Sequence, residues 1–214
     1  MIPITKLLPL LVLALACQRA QPGSPPASHG FTTGSKENEM QTTDVRSDAP
    51  AAREVAVLAG GCFWGMEEIL RQVPGVLETE VGYAGGTTAS PSYSSVKTGQ
   101  TGHAESIRVV FDPSRLSYAE LLEKWFFRMH DPTTPNRQGN DVGTQYRSAI
   151  FYETDEQKRV AEEVKARLEQ SGAWKRPIVT QIVKAGPFTP AEDYHQDYLQ
   201  KHPGGYTCHY LRDI

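Results

Sequence analysis

The sequence predicts an α+β fold, a ferredoxin-like βαββαβ sandwich with a mixed sheet, extra C-terminal helices and an irregular C-terminal tail. Two patterns indicate this fold: short β-rich apolar segments, and longer segments with apolar residues at helical spacing. Their order along the chain is the third observation. The 214 residues contain 39% hydrophobic residues, enough for one core, and the formal charge of −3 argues against a nucleic-acid-binding surface.

The predicted elements all follow residue 53. The run EVAVLAG (54–60) is typical of a buried strand, and apolar residues from Cys62 to Val73 recur at helical spacing until Pro74 and Gly75 end the helix. The elements predicted after this helix are, in order, strands 76–83 and 104–112, a helix opened by Ser117, strand 148–152, a helix over about 154–171, strand 178–185 and a short helix over 190–200.

The first 53 residues do not resemble a core. Residues 1–16 combine one positive charge at Lys6 with an apolar run too short to span a bilayer, which predicts a signal peptide. The end of this run resembles a bacterial lipobox, so Cys17 is a candidate lipidation site; simple secretion is the alternative. Residues 17–53 are rich in Pro, Gly, Ser and Thr and predict a flexible, lipid-anchored tether. The absence of a charge at Gln18 favours the outer membrane, facing the periplasm.

Cys62 lies where the first strand meets the first helix. At a helix start, backbone N–H groups and the helix dipole favour a thiolate, and the flanking Gly61 and Gly65 allow close approach of backbone or ligand. This placement predicts a reactive thiol. If Cys17 is lipidated, however, only Cys62 and Cys208 remain of three cysteines, and a structural disulfide between them stays an alternative.

Candidates for proton transfer lie elsewhere in the chain. His103 and Glu105 are two residues apart at a strand start and share a face, where burial would raise the pKa of the carboxyl and let it donate a proton. A satisfied strand-end pair is the alternative. The long polar loop 131–146 is of a kind that commonly serves a site.

Several motifs occur together between about Glu54 and Arg212: GGCFWGMEE, GYAGG, TGHAE, FDP, RQGNDVGTQYRS, YHQDYL and GGYTC. In this combination and order the sequence resembles the A-type peptide methionine sulfoxide reductases, so residues 54–214 are expected to be the catalytic domain. The resemblance implies reduction of the S epimer of methionine sulfoxide, free or in proteins, with no bound cofactor and with an external thioredoxin-like dithiol as reductant.

The resemblance also assigns roles to individual residues. It implies that Cys62 is the nucleophile, that Phe63 and Trp64 receive the substrate methyl group, and that Glu105 protonates the sulfoxide oxygen. It further implies that Tyr93 and Tyr146 hold that oxygen, with Asp141 in the polar network beside them, and that Cys208 is the resolving thiol. Many relatives carry two C-terminal cysteines, whereas this chain has only Cys208 there.

Two other interpretations remain open. One is a cysteine hydrolase or acyltransferase that pairs Cys62 with His103 or His195. The other is a non-enzymatic envelope lipoprotein with a structural disulfide. The His and Cys residues lack the spacing of metal ligands, so no metal site is predicted. Oxidised proteins or peptides and the reductant are the expected partners of a monomer that reaches the membrane only through its lipid anchor.

Overall fold

The structure of the protein is a computed structural model, and it describes residues 52–214. The predicted signal peptide, the candidate lipidation site Cys17 and nearly all of the predicted tether lie outside the described residues. Within residues 52–214, no helix is both long enough and apolar enough to cross a membrane.

One six-stranded sheet forms the centre of the described chain, in the order β7-β6-β1-β3-β2-β8. Its strands are β1 (Glu54–Gly60), β2 (Val76–Ala84), β3 (Ala104–Phe111), β6 (Ser148–Tyr152), β7 (Gln181–Lys184) and β8 (Thr189–Pro190). All neighbours are antiparallel except the parallel pair β6 and β7. The inner order β6-β1-β3-β2 is that of a ferredoxin-like sheet, which confirms the predicted fold class.

In the described part of the chain, the helices are short except for one. They are α1 (Phe63–Leu70), α2 (Tyr93–Val96), α3 (Tyr118–Glu120), a π-helical segment (Leu121–Phe126), α4 (Phe127–Met129), a 3₁₀ turn (Thr144–Tyr146), α5 (Asp155–Gln170) and α6 (Tyr198–Lys201). Two short strands, β4 (Arg137–Gln138) and β5 (Asp141–Val142), form a hairpin within the long polar loop.

Three predicted elements are shorter than expected, for local reasons. The first helix, predicted to continue to Val73, ends at Leu70, because the N–H groups of Gln72 and Val73 donate to the carbonyls three residues back in turns. The strand predicted over 178–185 begins only at Gln181, because the Val179 N–H donates to the Pro132 carbonyl instead of joining the sheet. The helix predicted over 190–200 is reduced to α6, since Asp197 before it has φ +52° and interrupts a continuous helix.

Strand β1 is covered on both faces. Ala56 and Leu58 belong to the large core that also contains apolar residues of α1, the π-helical segment and α5, whereas Val57 and Ala59 belong to a smaller cluster. Because β1 and β3 are antiparallel neighbours, the end of β1 lies beside the start of β3. This topology brings the residues that follow Gly60 next to the residues that begin β3.

Candidate active site

Cys62 is the N-cap residue of α1, directly after β1. Between them, Gly61 has φ +108°, and a Cβ there would lie 2.5 Å from Cγ of Gln138. Only glycine fits this turn without strain. The turn fixes the direction in which the Cys62 side chain leaves the strand, and that side chain is buried, at 5% exposure.

The electrostatics of the Cys62 thiol differ from the expectation of a resting thiolate. Burial raises its pKa, and the Glu105 carboxyl raises it further, whereas a hydrogen bond from the Trp64 backbone lowers it. Desolvation therefore outweighs the effect of the helix start. The thiol is protonated at neutral pH in this structure, so it must lose its proton during the reaction.

Glu105 lies near the start of β3 and is 2% exposed. Burial raises its pKa to about 8, the Phe63 backbone N–H lowers it by donating to Oε2 at 3.2 Å, and Asp141 raises it. Most of the carboxyl is therefore protonated at pH 7, in agreement with the sequence-based expectation of a neutral Glu105. A neutral carboxyl does not repel negative charge developing on Cys62.

A cavity of about 180 Å³ connects these groups. Its lining residues are Cys62, Phe63, Trp64, Tyr93, Glu105, Asp141, Tyr146 and Tyr206. Burial and then Glu105 raise the pKa of the Tyr93 and Tyr146 hydroxyls, so both stay protonated and able to donate a hydrogen bond. The structure thus brings all the predicted site residues of the described chain to one cavity, except Cys208.

Phe63 and Trp64 form the aromatic wall of the cavity, and His195 and Tyr198 hold this wall in place. The Trp64 indole N–H donates to Nδ1 of His195 at 3.0 Å, and the indole stacks on Tyr198 with 3.8 Å between ring centroids. Phe63 is fully buried, with its ring 5.1 Å from that of His195. A small apolar group in the cavity would therefore meet a rigid surface.

Two residues without a role predicted from the sequence also shape this site. Glu192 accepts hydrogen bonds from the Tyr83 hydroxyl at 2.8 Å and from the Tyr93 backbone N–H at 3.0 Å, so it holds Tyr93 in place. Tyr206 lines the cavity and donates to Oδ2 of Asp141 at 3.1 Å. The sequence signals were weak: Tyr206 is the tyrosine of the GGYTC motif, and Glu192 lies two residues before YHQDYL.

Cys208 lies beside the cavity, partly buried. Its Sγ donates to Oδ2 of Asp141 at 3.4 Å, and Asp141 in turn lines the cavity. Burial and Asp141 raise the pKa of Cys208 to about 11, and the nearby backbone N–H of Cys62 lowers it. Both cysteines of the described chain are free thiols.

The two histidines considered as bases for Cys62 lie elsewhere. The ring of His103 bonds the Thr88 carbonyl at 2.9 Å, and that of His195 bonds Trp64; neither ring lines the cavity. Among residues 52–214, no group of three or more His, Cys, Asp or Glu side chains is arranged to hold a metal ion. The arrangement instead offers a thiol, the carboxyl groups of Glu105 and Asp141, and three tyrosine hydroxyls around a small space with one apolar wall.

Comparisons with known proteins agree with this chemistry. The family model for peptide methionine sulfoxide reductase matches residues 54–213. Peptide methionine sulfoxide reductase MsrA 1 of Mesorhizobium japonicum is 57% identical over 74% of this chain and 90% of its own length. The structure of reduced Mxr1 from Saccharomyces cerevisiae is 40% identical, with a TM-score of 0.71 over 77% of this chain and 94% of Mxr1.

A further solved structure shows Mxr1 in complex with Trx2; it is 26% identical, with a TM-score of 0.52 over 77% of this chain and 93% of that one. Sequence, fold and site therefore lead to one assignment: this chain belongs to the peptide methionine sulfoxide reductase family, A-type, whose members are oxidoreductases that act on sulfur.

Proposed function

We propose that the chain reduces the S epimer of methionine sulfoxide, free or in proteins, to methionine, with Cys62 as nucleophile and Glu105 as acid. One observation carries the proposal: a thiol and a protonated carboxyl face the same 180 Å³ cavity, whose wall includes Phe63 and Trp64. The epimer rests on the A-type relatives. The aromatic wall suits the substrate's S-methyl group, and the Tyr93 and Tyr146 hydroxyls suit its oxygen.

The first step needs two protons to move. A sulfoxide has an electrophilic sulfur but a poor leaving oxygen, so thiol attack is fast only when that oxygen is protonated at the same time. Glu105 gives its proton to the oxygen and recovers one from the Cys62 thiol, which therefore needs no stable thiolate. The oxygen is transferred to Cys62, the substrate sulfur is reduced to the thioether, and Cys62 becomes a sulfenic acid.

The second step forms a disulfide between Cys62 and Cys208, with loss of water. The position of Cys208 beside the Cys62 backbone and Asp141 supports this pairing. The complex of Mxr1 with Trx2 supports a thioredoxin-type protein as the donor that reopens the disulfide. Because the chain carries only Cys208 in its C-terminal segment, we expect the Cys62–Cys208 disulfide to face the donor directly.

We also propose that the enzyme repairs proteins of the bacterial envelope, as a monomeric lipoprotein anchored through Cys17. The apolar segment before Cys17 and the polar stretch after it support this location. The periplasm is kept oxidising, so the donor there would have to be fed with electrons from the membrane. Incorporation of labelled fatty acid into the chain, and its loss in Cys17→Ser, would test the anchor.

The hydrolase interpretation finds less support. A cysteine hydrolase needs a base within hydrogen-bond reach of its thiol, and neither His103 nor His195 lines the cavity around Cys62. Such an enzyme would also have no use for a second thiol beside the first.

The decisive experiment supplies both epimers of a methionine sulfoxide derivative with dithiothreitol and follows each by chiral chromatography. We expect the S epimer to be consumed and methionine to appear, and Cys62→Ser to abolish both. Consumption of the R epimer alone, or undiminished activity of Cys62→Ser, would refute the proposed function.

A further inference from the structure

His209 is the only buried residue among residues 201–214, at 7% exposure. Its neighbours on both sides are more exposed: Cys208 is partly buried, and Tyr210 is 62% exposed. A polar side chain that alone is buried within an irregular tail indicates a specific docking contact, because burying a ring nitrogen without a partner is costly.

The His209 ring has a partner on each side. One nitrogen, Nε2, lies 2.8 Å from the carbonyl oxygen of Gly60, and the other, Nδ1, lies 3.6 Å from Sγ of Cys208. Burial lowers the pKa of this imidazole to about 4, so the ring is neutral. Since a carbonyl only accepts, Nε2 carries the hydrogen and donates it to Gly60, and Nδ1 is left facing Cys208.

The His209 ring packs against two glycines, Gly61 and Gly65. A Cβ on Gly65 would lie 2.6 Å from Nδ1 of His209 and would clash with Oγ1 of Thr207; a Cβ on Gly61 would lie 3.3 Å from Cε1 of His209. Thr207 and His209 therefore pack directly on the first turn of α1. The glycines that flank Cys62 are needed for the tail as well as for the turn.

From these contacts we propose that His209 is the positioning residue of the resolving step: it docks the tail on the Gly60–Gly65 segment and so holds the Cys208 sulfur beside Cys62. This inference rests on the proposed function. In that step Cys208 attacks the sulfenic sulfur of Cys62, an S–S bond forms and the S–O bond breaks, and the Cys208 proton leaves with the hydroxyl as water. The Cys208 sulfur is oxidised and the Cys62 sulfur is reduced.

Position, and not proton transfer, is the role that fits His209. With a pKa of about 4 its imidazole is a poor acceptor for the proton of Cys208, whose pKa is about 11. The tail beyond His209 is attached independently, because the backbone N–H groups of Tyr210 and Arg212 donate to the carbonyls of Met129 and Arg128. Loss of the imidazole should therefore loosen Cys208 without releasing the end of the chain.

The test separates the two steps in a single turnover. The full chain, with Cys17→Ser in every sample, is mixed with excess sulfoxide and no reductant, and methionine, free thiols and dimedone-trapped sulfenic acid are followed in time. The parent should form one methionine per chain and lose both thiols. His209→Ala should form methionine at the parent's rate. Its second thiol should be lost on the order of tenfold more slowly, and dimedone should trap the sulfenic acid that accumulates in the meantime.

Two further variants complete the test. His209→Gln, which can still donate to the Gly60 carbonyl, should recover most of the disulfide rate, and Tyr210→Ala, at the exposed neighbour, should match the parent. A parental disulfide rate in His209→Ala, an equal slowing of both steps, or a Gln variant as slow as Ala would overturn the inference. Failure of the proposed function looks different, because the parent itself would then form no methionine from the S epimer, which is the sulfoxide supplied.

Discussion

The backbone N–H of Phe63 donates a 3.2 Å hydrogen bond to Oε2 of Glu105. This bond joins the first turn of α1 to the start of β3, two elements that are far apart in sequence but adjacent through the sheet. Because Oε2 accepts this backbone hydrogen, Oε1 is the oxygen left free to donate the carboxyl proton. The helix start thus orients the acid as well as presenting the thiol.

The reduction step should slow as pH rises through about 8. Burial, the main cause, raises the pKa of Glu105 to about 8, so the carboxyl holds its proton below that pH and loses it above. Without that proton the sulfoxide oxygen cannot be protonated, and the rate should fall roughly tenfold per pH unit on the alkaline limb. Single-turnover methionine formation without reductant measures this step alone. A rate that instead rises through pH 8 would show that the thiolate of Cys62 limits the reaction.

Glu105→Gln should lower the same single-turnover rate by about 10²–10⁴ and remove the alkaline limb, because the amide keeps the shape but has no acidic proton. Glu67→Gln is the matched control. Glu67 is also buried, on α1, and burial raises its pKa to about 7, but it bonds the Asp197 backbone and does not line the cavity. Equal losses in the two variants would mean that the effect is one of folding and not of acid catalysis.

The central fold could be predicted from the sequence because its elements are defined locally. In β1 and α1, apolar periodicity marks the elements and burial in the structure follows the same pattern, although α1 ends at Leu70, before the predicted stop at Pro74–Gly75. The short helix α2 was missed, since it depends on hydroxyl contacts such as the Ser92 N–H bonding Oγ of Ser95 at 3.0 Å. Such contacts leave no periodic signal.

The site could be predicted as a set of residues but not as a geometry. The motifs indicated Cys62 and Glu105, and the topology places them together. The protonation state of Cys62 was predicted wrongly, because the sequence shows the favourable helix start but not the burial that outweighs it. Nothing in the sequence showed that His209 reaches back to Gly60, a contact between residues 149 positions apart.

His195→Ala should weaken substrate binding more than it slows the chemistry. The imidazole accepts the Trp64 indole N–H, so its loss leaves that wall of the cavity free to move. We expect KM to rise roughly tenfold and kcat to change by no more than about threefold. Steady-state kinetics with dithiothreitol measure both constants. Gln200→Ala, at an exposed residue of α6, should leave them unchanged; a fall in kcat at constant KM in His195→Ala would contradict the assignment.

Gly65→Ala should slow disulfide formation, because Gly65 forms the α1 side of the contact with His209. Its Cβ would lie 2.6 Å from Nδ1 of His209, so the tail must move away from α1. Because both substitutions disturb one docking surface, the double variant Gly65→Ala/His209→Ala should lose the second thiol no more slowly than the slower single variant. Gly186→Ala is the control, since a Cβ there meets no atom within 4 Å. Losses that simply multiply in the double variant would show that Gly65 and His209 act separately, and the tail would then need another anchor.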